Sequence, residues 1–590
     1  MFPHIRRHPV LWLLVLSGLI GFRVGIHYAE WQVAVETAHV IAGLVHYPAG
    51  NPFYIYHLKL WTVLHQLGAL ALWAGVSEIT LSRFISGVMD MLMFQAWALV
   101  TYSLSRDVLV ALGATIIILF ARAVELPATY PIWATGTGHT YGAFGVWTFI
   151  LVAGLLGSGY YRAGAFLLGV APAIHPSLGV WLGAAVAISI LSDFRKFRVE
   201  LRPALPFFLA GCAVTTLSLI VYLFMARGVP SADPATTARY LPAFVELWDS
   251  HRGRVDMTMR GVRVNMGALA LAVVWLTLFR RDVSRSALLL LRIVAVTAAM
   301  SLVFAYLSRL PPDVAPGAFL VLMPTRLLNA NIGMFAALLF GLAGAYRGRL
   351  WSAALLVALA AGLLVADLSL LWTWLETRGV QVSQYLFTPL WPFAIGSIVL
   401  VAMAGFERWR RPRMPPADGP PRWSGPRLAR LAFAGSALAC MAAFEWSSQR
   451  AGNKADTIFL DRTNDPFFAR VSQGQGLLAT GGDLHLMQLR TRRAVLIDGG
   501  GLDGLVYSMA AAPEMERILR DVYSVDLLHG RSADMLPEAN QRAWTAYSVD
   551  QWRRIRATYG VTEILTYANW RLTLEPIAQN GRLILYRIPE

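Results

Sequence analysis

The residues best suited to chemistry lie between positions 26 and 66, just after the first long apolar segment. This stretch carries two carboxylates, Glu30 and Glu36, together with Lys59 and five of the twelve histidines of the chain. Polar groups at that density are costly in hydrocarbon. We therefore predict one or two helices that lie at the membrane surface and cover a cavity, with the sequence PAGNP (48–52) breaking them. A carboxylate there can accept a proton from a hydroxyl or bind a divalent metal through its oxygens.

Glu30 and Glu36 compete for that role. Six residues at 100° each place them about 120° apart on a continuous helix, so at most one faces the cavity unless the helix breaks between them. The plainer interpretation of Glu30 is an interfacial carboxylate beside aromatic side chains. The histidines lack tight HxxxH spacing, which favours ordinary interfacial histidines over a metal site. His57 and Lys59 follow NPFYIY, and contact with an anionic headgroup is a further hypothesis for them.

Other polar residues stand beside apolar segments. Glu125 and His139 lie in a second loop containing TGTGHT, whose backbone N–H groups can approach a ligand closely, although a turn is the plainer interpretation. His175 precedes Pro176 at a break between two short apolar segments, where a polar residue is either functional or bonded structurally. Arg326 lies in an otherwise apolar run, 315–345. Its guanidinium suits a lipid phosphate, which it can bind through two parallel hydrogen bonds, or it reaches ordinary headgroups by snorkelling.

The composition places these residues in a membrane protein. The 590 residues are 56% hydrophobic and 15% charged, with a mean hydropathy of +0.52. About thirteen apolar segments approach the length that spans a bilayer. The net charge of +16 would indicate nucleic acid in a soluble protein, but here most of the basic residues gather in short loops, which is typical of topogenic charge. Both cysteines lie in apolar runs, so no disulfide framework is predicted.

Alternation of the apolar segments from a cytoplasmic N-terminus predicts the topology. Lys and Arg are several-fold denser in the predicted inner loops than in the outer loops, as the positive-inside rule requires. Residues 26–83 then form the first periplasmic loop, with interfacial helices. The fold class is an α-helical polytopic membrane protein, with a transmembrane domain (1–446) and a C-terminal periplasmic α/β domain (447–590).

The C-terminal region has the pattern of a small soluble domain. GLLAT, AVLID, EILTY and LILYRI are typical of short buried strands, and PEMERILRDVY and SVDQWRRIRATYG are typical of helices. GGGLDG (499–504) has neither the GxGxxG spacing nor a P-loop lysine, so a plain turn is the favoured interpretation over a phosphate loop.

The layout resembles the GT-C superfamily of polytopic glycosyltransferases, which use polyprenyl-phosphate sugars. The resemblance begins with a single helix followed by a long loop that bears a carboxylate, here Glu30. GVSEITLSRFISGVMDMLMFQAWALVTYSLSRDVLVALGATIIIL (75–119) is similar to the second and third helices of that family. YYRAGAFLLGVAPAIHPSLGVWLGAAVAISI (160–190) is similar to its broken helix pair, and a C-terminal soluble domain on the outer side also fits.

The resemblance implies a glycosyltransferase of the bacterial inner membrane. It would transfer a sugar from a polyprenyl-phosphate-linked donor to a glycan, lipid or protein acceptor of the envelope on the periplasmic face, with no nucleic-acid partner. Glu30 is then the catalytic base or a metal-associated carboxylate, and Glu36 is the second candidate. Arg326 is the donor-phosphate ligand, with His57 and Lys59 as further candidates. The cofactor is left open, with Mg²⁺ or Mn²⁺ at the phosphate as one option. The candidates for lining the cavity are His139, His175 and Glu125.

Two other classes of function stay open. A transporter or flippase of a lipid-linked or anionic substrate needs charged residues at mid-membrane depth. A non-catalytic assembly protein for envelope polysaccharide predicts that Glu30 and Arg326 do not share a cavity.

Overall fold

The computed structural model describes residues 8–27, 29, 33–120, 140–249, 254–310, 317–346, 349–367, 390–410, 433–442 and 454–590. Three predicted site residues, Glu30, Glu125 and His139, lie outside these ranges, as does the predicted boundary between the two domains. In chain order, the helices of the membrane domain are α1 Pro9–His27, α2 Val33–Ile41, α3 Pro52–Lys59, α4 Val63–Trp73, α5 Glu78–Ser105, α6 Val108–Phe120, α7 Thr140–Ser158, α8 Tyr161–Ile174, α9 Pro176–Leu191, α10 Phe194–Leu201, α11 Leu205–Met225, α12 Pro234–Ala243, α13 Arg260–Phe279, α14 Arg285–Leu307, α15 Gly317–Val321, α16 Leu327–Ala345, α17 Leu350–Asp367, α18 Leu390–Arg410 and α19 Phe433–Ala442.

Seven helical stretches in the described ranges are long and apolar enough to span a membrane, and shorter apolar helices accompany them. Every apolar segment predicted from the sequence contains one of these helices, and α4 adds another within the predicted first loop. The prediction of an α-helical polytopic membrane protein is therefore confirmed. By contrast, α2 and α3 have only nine and eight residues, so they are too short to span a bilayer.

The predicted break between two half-length helices falls at His175. Proline disfavours a helical conformation in the residue before it, and His175 is extended, with φ −148° and ψ 103°. Pro176 then begins α9 at the first helical position, where its missing N–H costs no intrahelical hydrogen bond. The break therefore follows from local chemistry.

Hydrogen bonds and ion pairs connect neighbouring loops at each of the two ends of the helical domain. At one end, Arg106 Nη2 donates to Ser284 Oγ at 2.7 Å, and Arg292 Nη2 lies 2.8 Å from Asp193 Oδ2. Arg106, Asp193 and Ser284 lie in loops predicted to be on the inner side, 104–107, 193–203 and 280–285, and Arg292 lies in α14. At the other end, Trp248 Nε1 donates to the backbone oxygen of Leu527 in the C-terminal region at 2.8 Å. This grouping agrees with the predicted alternation, while the assignment of either end to the cytoplasm remains a prediction.

The C-terminal region contains a four-stranded sheet in the order β1-β2-β4-β3, in which β1 and β2 are parallel and the other pairs are antiparallel. Its elements are α20 Lys454–Asn464, α21 Pro466–Ser472, β1 Leu477–Thr480, α22 Met487–Thr491, α23 Ala512–Tyr523, α24 Pro537–Ala546, α25 Val549–Tyr559, β2 Val561–Tyr567, β3 Glu575–Gln579 and β4 Leu583–Arg587. The predicted small C-terminal α/β fold is confirmed, with two corrections.

The first correction concerns AVLID (494–498), which makes only an isolated bridge, Leu478 to Val495, and is not a strand of the sheet. The chain turns at its end into a 3₁₀ helix, Gly499–Tyr507, so the pairing does not extend. The second correction is β3, which the sequence did not indicate. Its residues are exposed or half-buried, so it lacks the apolar signal of a buried strand.

Candidate functional site

A cavity of about 320 Å³ lies where the C-terminal domain meets one end of the helical domain. Its walls come from α2, α3 and the loop after it, the break between α8 and α9, the segment before α16, and two parts of the C-terminal domain. The ionisable side chains that line it are Glu36, Lys59, His65, His175, Arg326, His485, Asp498, Asp503 and Tyr507, with Tyr56 beside them. The cavity thus gathers residues from both ends of the chain.

Arg326 and His175 are paired in this cavity. Arg326 is only 7% exposed, and its Nη1 lies 2.6 Å from His175 Nε2. A guanidinium has donors only, so Nε2 is the acceptor in this contact. Nδ1 of the same ring lies 3.3 Å from Ser177 Oγ and 3.3 Å from the backbone N of Leu178. This contact orients one end of the guanidinium. Two residues that the sequence predicted separately, 151 positions apart, are therefore brought together.

Of the two carboxylates predicted for the site, Glu36 lies within the described residues, and it lines the cavity. Its side chain is buried on α2, and its backbone oxygen accepts a hydrogen bond from Gln488 Nε2 of the C-terminal domain at 2.8 Å. Burial, followed by the negative charge of Asp498, raises the pKa of Glu36 to about 8, and the charge of His485 acts in the opposite direction. A carboxyl group with that pKa can take up or release a proton near neutral pH.

His485 and Asp498 form a second pair, from the C-terminal domain. His485 Nδ1 lies 2.6 Å from Asp498 Oδ1, and the carboxylate also accepts from the backbone N–H groups of Leu486 and Gly500, both at 3.0 Å. Burial favours the neutral imidazole, but the charge and hydrogen bond of Asp498 outweigh it and raise the pKa of His485 to about 9. Burial also opposes ionisation of Asp498, yet His485 and the backbone donors hold its pKa below the ordinary value. The pair is ionic at neutral pH.

The GGGLDG segment is not the predicted plain turn, because it starts the 3₁₀ helix Gly499–Tyr507 and lines the cavity. Its glycines allow α3 to pack closely against this helix. A Cβ on Gly504 would lie 2.7 Å from the Tyr56 hydroxyl oxygen, and one on Gly501 would lie 3.0 Å from Phe53 Cε1. The glycine-rich sequence therefore serves the contact between the domains.

His57 does not belong to the site. It is fully buried, its Nδ1 lies 2.9 Å from Thr37 Oγ1, and it does not line the cavity. Burial lowers its pKa to about 3, so it is neutral and unsuited to bind a phosphate. His57 was predicted as a ligand of the donor phosphate, and its buried position outside the cavity does not support that role. Lys59 does line the cavity, with its Nζ 3.4 Å from Ser231 Oγ.

Glu30, the carboxylate predicted to associate with a metal ion, lies outside the described residues, so the metal prediction stays a prediction. Among the described residues, no group of three or more His, Cys, Asp and Glu side chains is arranged to hold a metal. The Asp498 oxygens already accept hydrogen bonds from His485 and two backbone N–H groups. No step of the reaction considered below runs through a metal ion.

Comparison with solved structures gives a likeness that covers nearly all of the chain. No family model matches the sequence, and no curated protein matches it. Among solved structures, the chain is similar to the crystal structure of ArnT from Cupriavidus metallidurans bound to undecaprenyl phosphate. The match covers 98% of both chains, with 12% identity and a TM-score of 0.39. A likeness at that TM-score carries no argument about the site, so the conclusions below depend on the geometry.

Proposed function

We propose that this protein is a membrane glycosyltransferase, which transfers a sugar from a polyprenyl-phosphate-linked donor to an acceptor of the cell envelope. The observation that carries the proposal is the cavity that Glu36 and Arg326 share at one end of the helical domain. It combines a proton acceptor with a buried cation that suits a phosphate.

In the proposed reaction, the Glu36 carboxylate accepts the proton of an acceptor hydroxyl while that oxygen attacks the anomeric carbon of the donor. The bond from the anomeric carbon to the phosphate oxygen breaks, and the polyprenyl phosphate leaves with the electron pair. Arg326, oriented by His175, binds the phosphate as its negative charge grows, and Lys59 adds a second positive charge. The proton stays on Glu36 until the product leaves.

The edge of the cavity is suited to a lipid-linked donor. Trp61 lines the cavity, and its Nε1 donates to Ser218 Oγ of α11 at 3.1 Å. The membrane-spanning stretch that contains α11, Phe197–Met225, is only 11% buried within the protein, so most of it faces lipid. A prenyl chain can therefore lie along this side while its phosphate reaches Arg326.

The alternative of a non-catalytic assembly protein predicts that Glu30 and Arg326 do not share a cavity, and the described residues do not test it because Glu30 lies outside them. What supports an enzyme is the other carboxylate of the same loop, Glu36, which shares the cavity with Arg326. A transporter needs charge at mid-membrane depth, whereas this cavity lies at the helix ends beside the C-terminal domain. The topology rule makes that end the periplasmic face of an inner membrane, which is part of the proposal.

The test is sugar transfer by the purified protein from a panel of radiolabelled polyprenyl-phosphate hexoses and pentoses to an envelope extract. We expect Glu36→Gln to lower transfer at least about 100-fold, because an amide cannot accept the proton. Glu246→Gln is the matched control, since Glu246 is exposed and pairs with Arg254. Equal transfer by wild type and Glu36→Gln would remove Glu36 from the mechanism and make Glu30 the next candidate. No transfer from any donor in the panel would contradict the proposed function.

A further inference from the structure

The C-terminal domain faces Glu36 with a charged pair, and that pair has no part in the reaction described so far. His485 and Asp498 line the same cavity as Glu36. Both are held in place, because Asp498 accepts three hydrogen bonds and the His485 ring lies against Gly500. A Cβ on Gly500 would be 2.7 Å from His485 Nδ1, so the ring occupies the space that another residue would fill.

Three contacts fix this pair relative to Glu36. Gln488, three residues after His485, donates through Nε2 to the backbone oxygen of Glu36 at 2.8 Å. The Tyr47 hydroxyl donates to Gln488 Oε1 at 2.6 Å, and Asn51 Nδ2 donates to the backbone oxygen of Leu496 at 3.1 Å. The loop that carries Glu36 and the segment that carries the pair therefore form one hydrogen-bonded unit, although they lie more than 400 residues apart in the chain.

We propose that the C-terminal domain supplies a positioning pair to the reaction site, in which Asp498 holds His485 as an imidazolium and His485 keeps Glu36 able to act as a proton acceptor. The catalytic role of the pair rests on the proposed function. The electrostatic effect of the pair on Glu36 is independent of that function and can be measured without substrate. The C-terminal domain is then a component of the active site and more than a cover over it.

The physical basis is the charge balance around a buried carboxyl group. Burial disfavours the carboxylate, and a negative neighbour disfavours it further, whereas a positive neighbour favours it. Asp498 alone would keep Glu36 protonated, and the imidazolium opposes that effect. Asp498 is also what keeps His485 charged, so the two residues act on Glu36 in opposite directions.

Other charged and titratable groups face the same space and enter any titration of the site. The negative charges of Asp503 and Glu36 both raise the pKa of His485, and the charge of Glu36 also raises the pKa of the Tyr47 phenol. The remaining ionisable groups that line the cavity are Tyr56, Lys59, His65, His175, Arg326 and Tyr507, and His57 is buried on α3 beside it.

The test compares His485→Gln and Asp498→Asn with His529→Gln. His529 is the matched control, because it forms an exposed pair with Asp526 in the same domain, at 2.9 Å. The readout is the carboxyl carbonyl stretch of Glu36 in an infrared pH titration, isolated by subtracting the spectrum of Glu36→Gln. Transfer activity against pH is measured in parallel.

We expect His485→Gln to move the midpoint of the Glu36 titration upward by about one pH unit, as removal of a nearby positive charge requires. Asp498→Asn removes the negative neighbour of Glu36 and the main group that favours a charged His485, leaving the smaller effects of Glu36 and Asp503 on that ring. Since Asp498 affects Glu36 more than His485 does, that midpoint should move downward. His529→Gln should leave the midpoint unchanged. Each of the two cavity variants has its own expected direction of shift. Either one therefore tests the proposal if the other fails to fold.

An unchanged Glu36 midpoint in folded His485→Gln or Asp498→Asn would overturn the proposal, even if transfer falls, because a loss of activity alone would mean a structural role. The two proposals fail separately. Shifted midpoints in a protein that transfers no sugar would contradict the proposed function and support the pair. Transfer that depends on Glu36, with midpoints that do not move, would support the function and contradict the pair.

Discussion

The pH dependence of transfer is the sharpest consequence of the site, because it separates Glu36 from an ordinary carboxylate. With a pKa of about 8, about one-tenth of Glu36 is ionised at pH 7 and about half at pH 8. Only the carboxylate can accept the proton, so the rate at saturating donor and acceptor should rise about fivefold between these two values. A glutamate with its ordinary pKa would be fully ionised throughout, and its rate would be flat.

The assay is the initial rate of transfer in detergent micelles at intervals between pH 6.5 and 8.5. A return of each sample to pH 7 confirms that no activity is lost irreversibly. This window lies below the pKa of about 9 of His485, so the imidazolium stays largely charged across it. A flat profile in this range would refute the reasoning if the chemical step limits the rate. A fivefold rise between pH 7 and pH 8 in the residual activity of Glu36→Gln would also refute the assignment of this pH dependence to Glu36.

Three further predictions follow from the same residues. Glu36 has a folded-state pKa raised above its unfolded value of 4.5, so the stability that it contributes is complete below pH 4.5 and is lost as pH rises through about 8. Glu36→Gln should therefore raise the Tm relative to wild type at pH 8.5 and less so at pH 5. Arg326→Lys should raise the KM for the donor about tenfold with little change at the acceptor, because an ammonium cannot bind phosphate through two parallel hydrogen bonds, whereas the exposed Arg254→Lys should have no effect. Gly504→Ala should cost about 1–3 kcal/mol of stability in a thermal or denaturant titration, since its methyl group would overlap the Tyr56 ring, while Gly581→Ala meets no atom within 4 Å and should be neutral.

The sequence indicates those parts of the site that depend on local chemistry. The break at His175 follows from the proline after it, and Arg326 is conspicuous because a guanidinium is rare in an apolar run. Periodicity likewise predicts the membrane helices and most of the C-terminal strands. Each of these features is determined within about twenty residues of chain.

The rest of the site depends on contacts that no local pattern records. His485 and Asp498 look like ordinary residues of a soluble domain, and the only sequence signal near them is the change from a strand-like run to GGGLDG. Their importance appears only when the C-terminal domain packs against α2 and α3. Conversely, His57 looks in sequence like a phosphate ligand because Lys59 lies two residues after it, but Thr37 and surrounding aromatic rings enclose it.

The burial that sets the chemistry of Glu36 comes from the docking of two distant parts of the chain. Glu78, at the start of α5, accepts from Arg462 at 2.9 Å and from Arg492 at 2.6 Å, and it also lies 3.2 Å from His39 Nε2. These contacts anchor the C-terminal domain on the start of α5, and His39 connects the buried Glu78 carboxylate to α2, the helix that carries Glu36. Because an isolated buried charge costs several kcal/mol, these contacts hold the domain in one register. The proton affinity of Glu36 and the docking of the C-terminal domain are therefore coupled, since a domain that separates from α2 would return Glu36 to water and to the pKa of an ordinary carboxyl group.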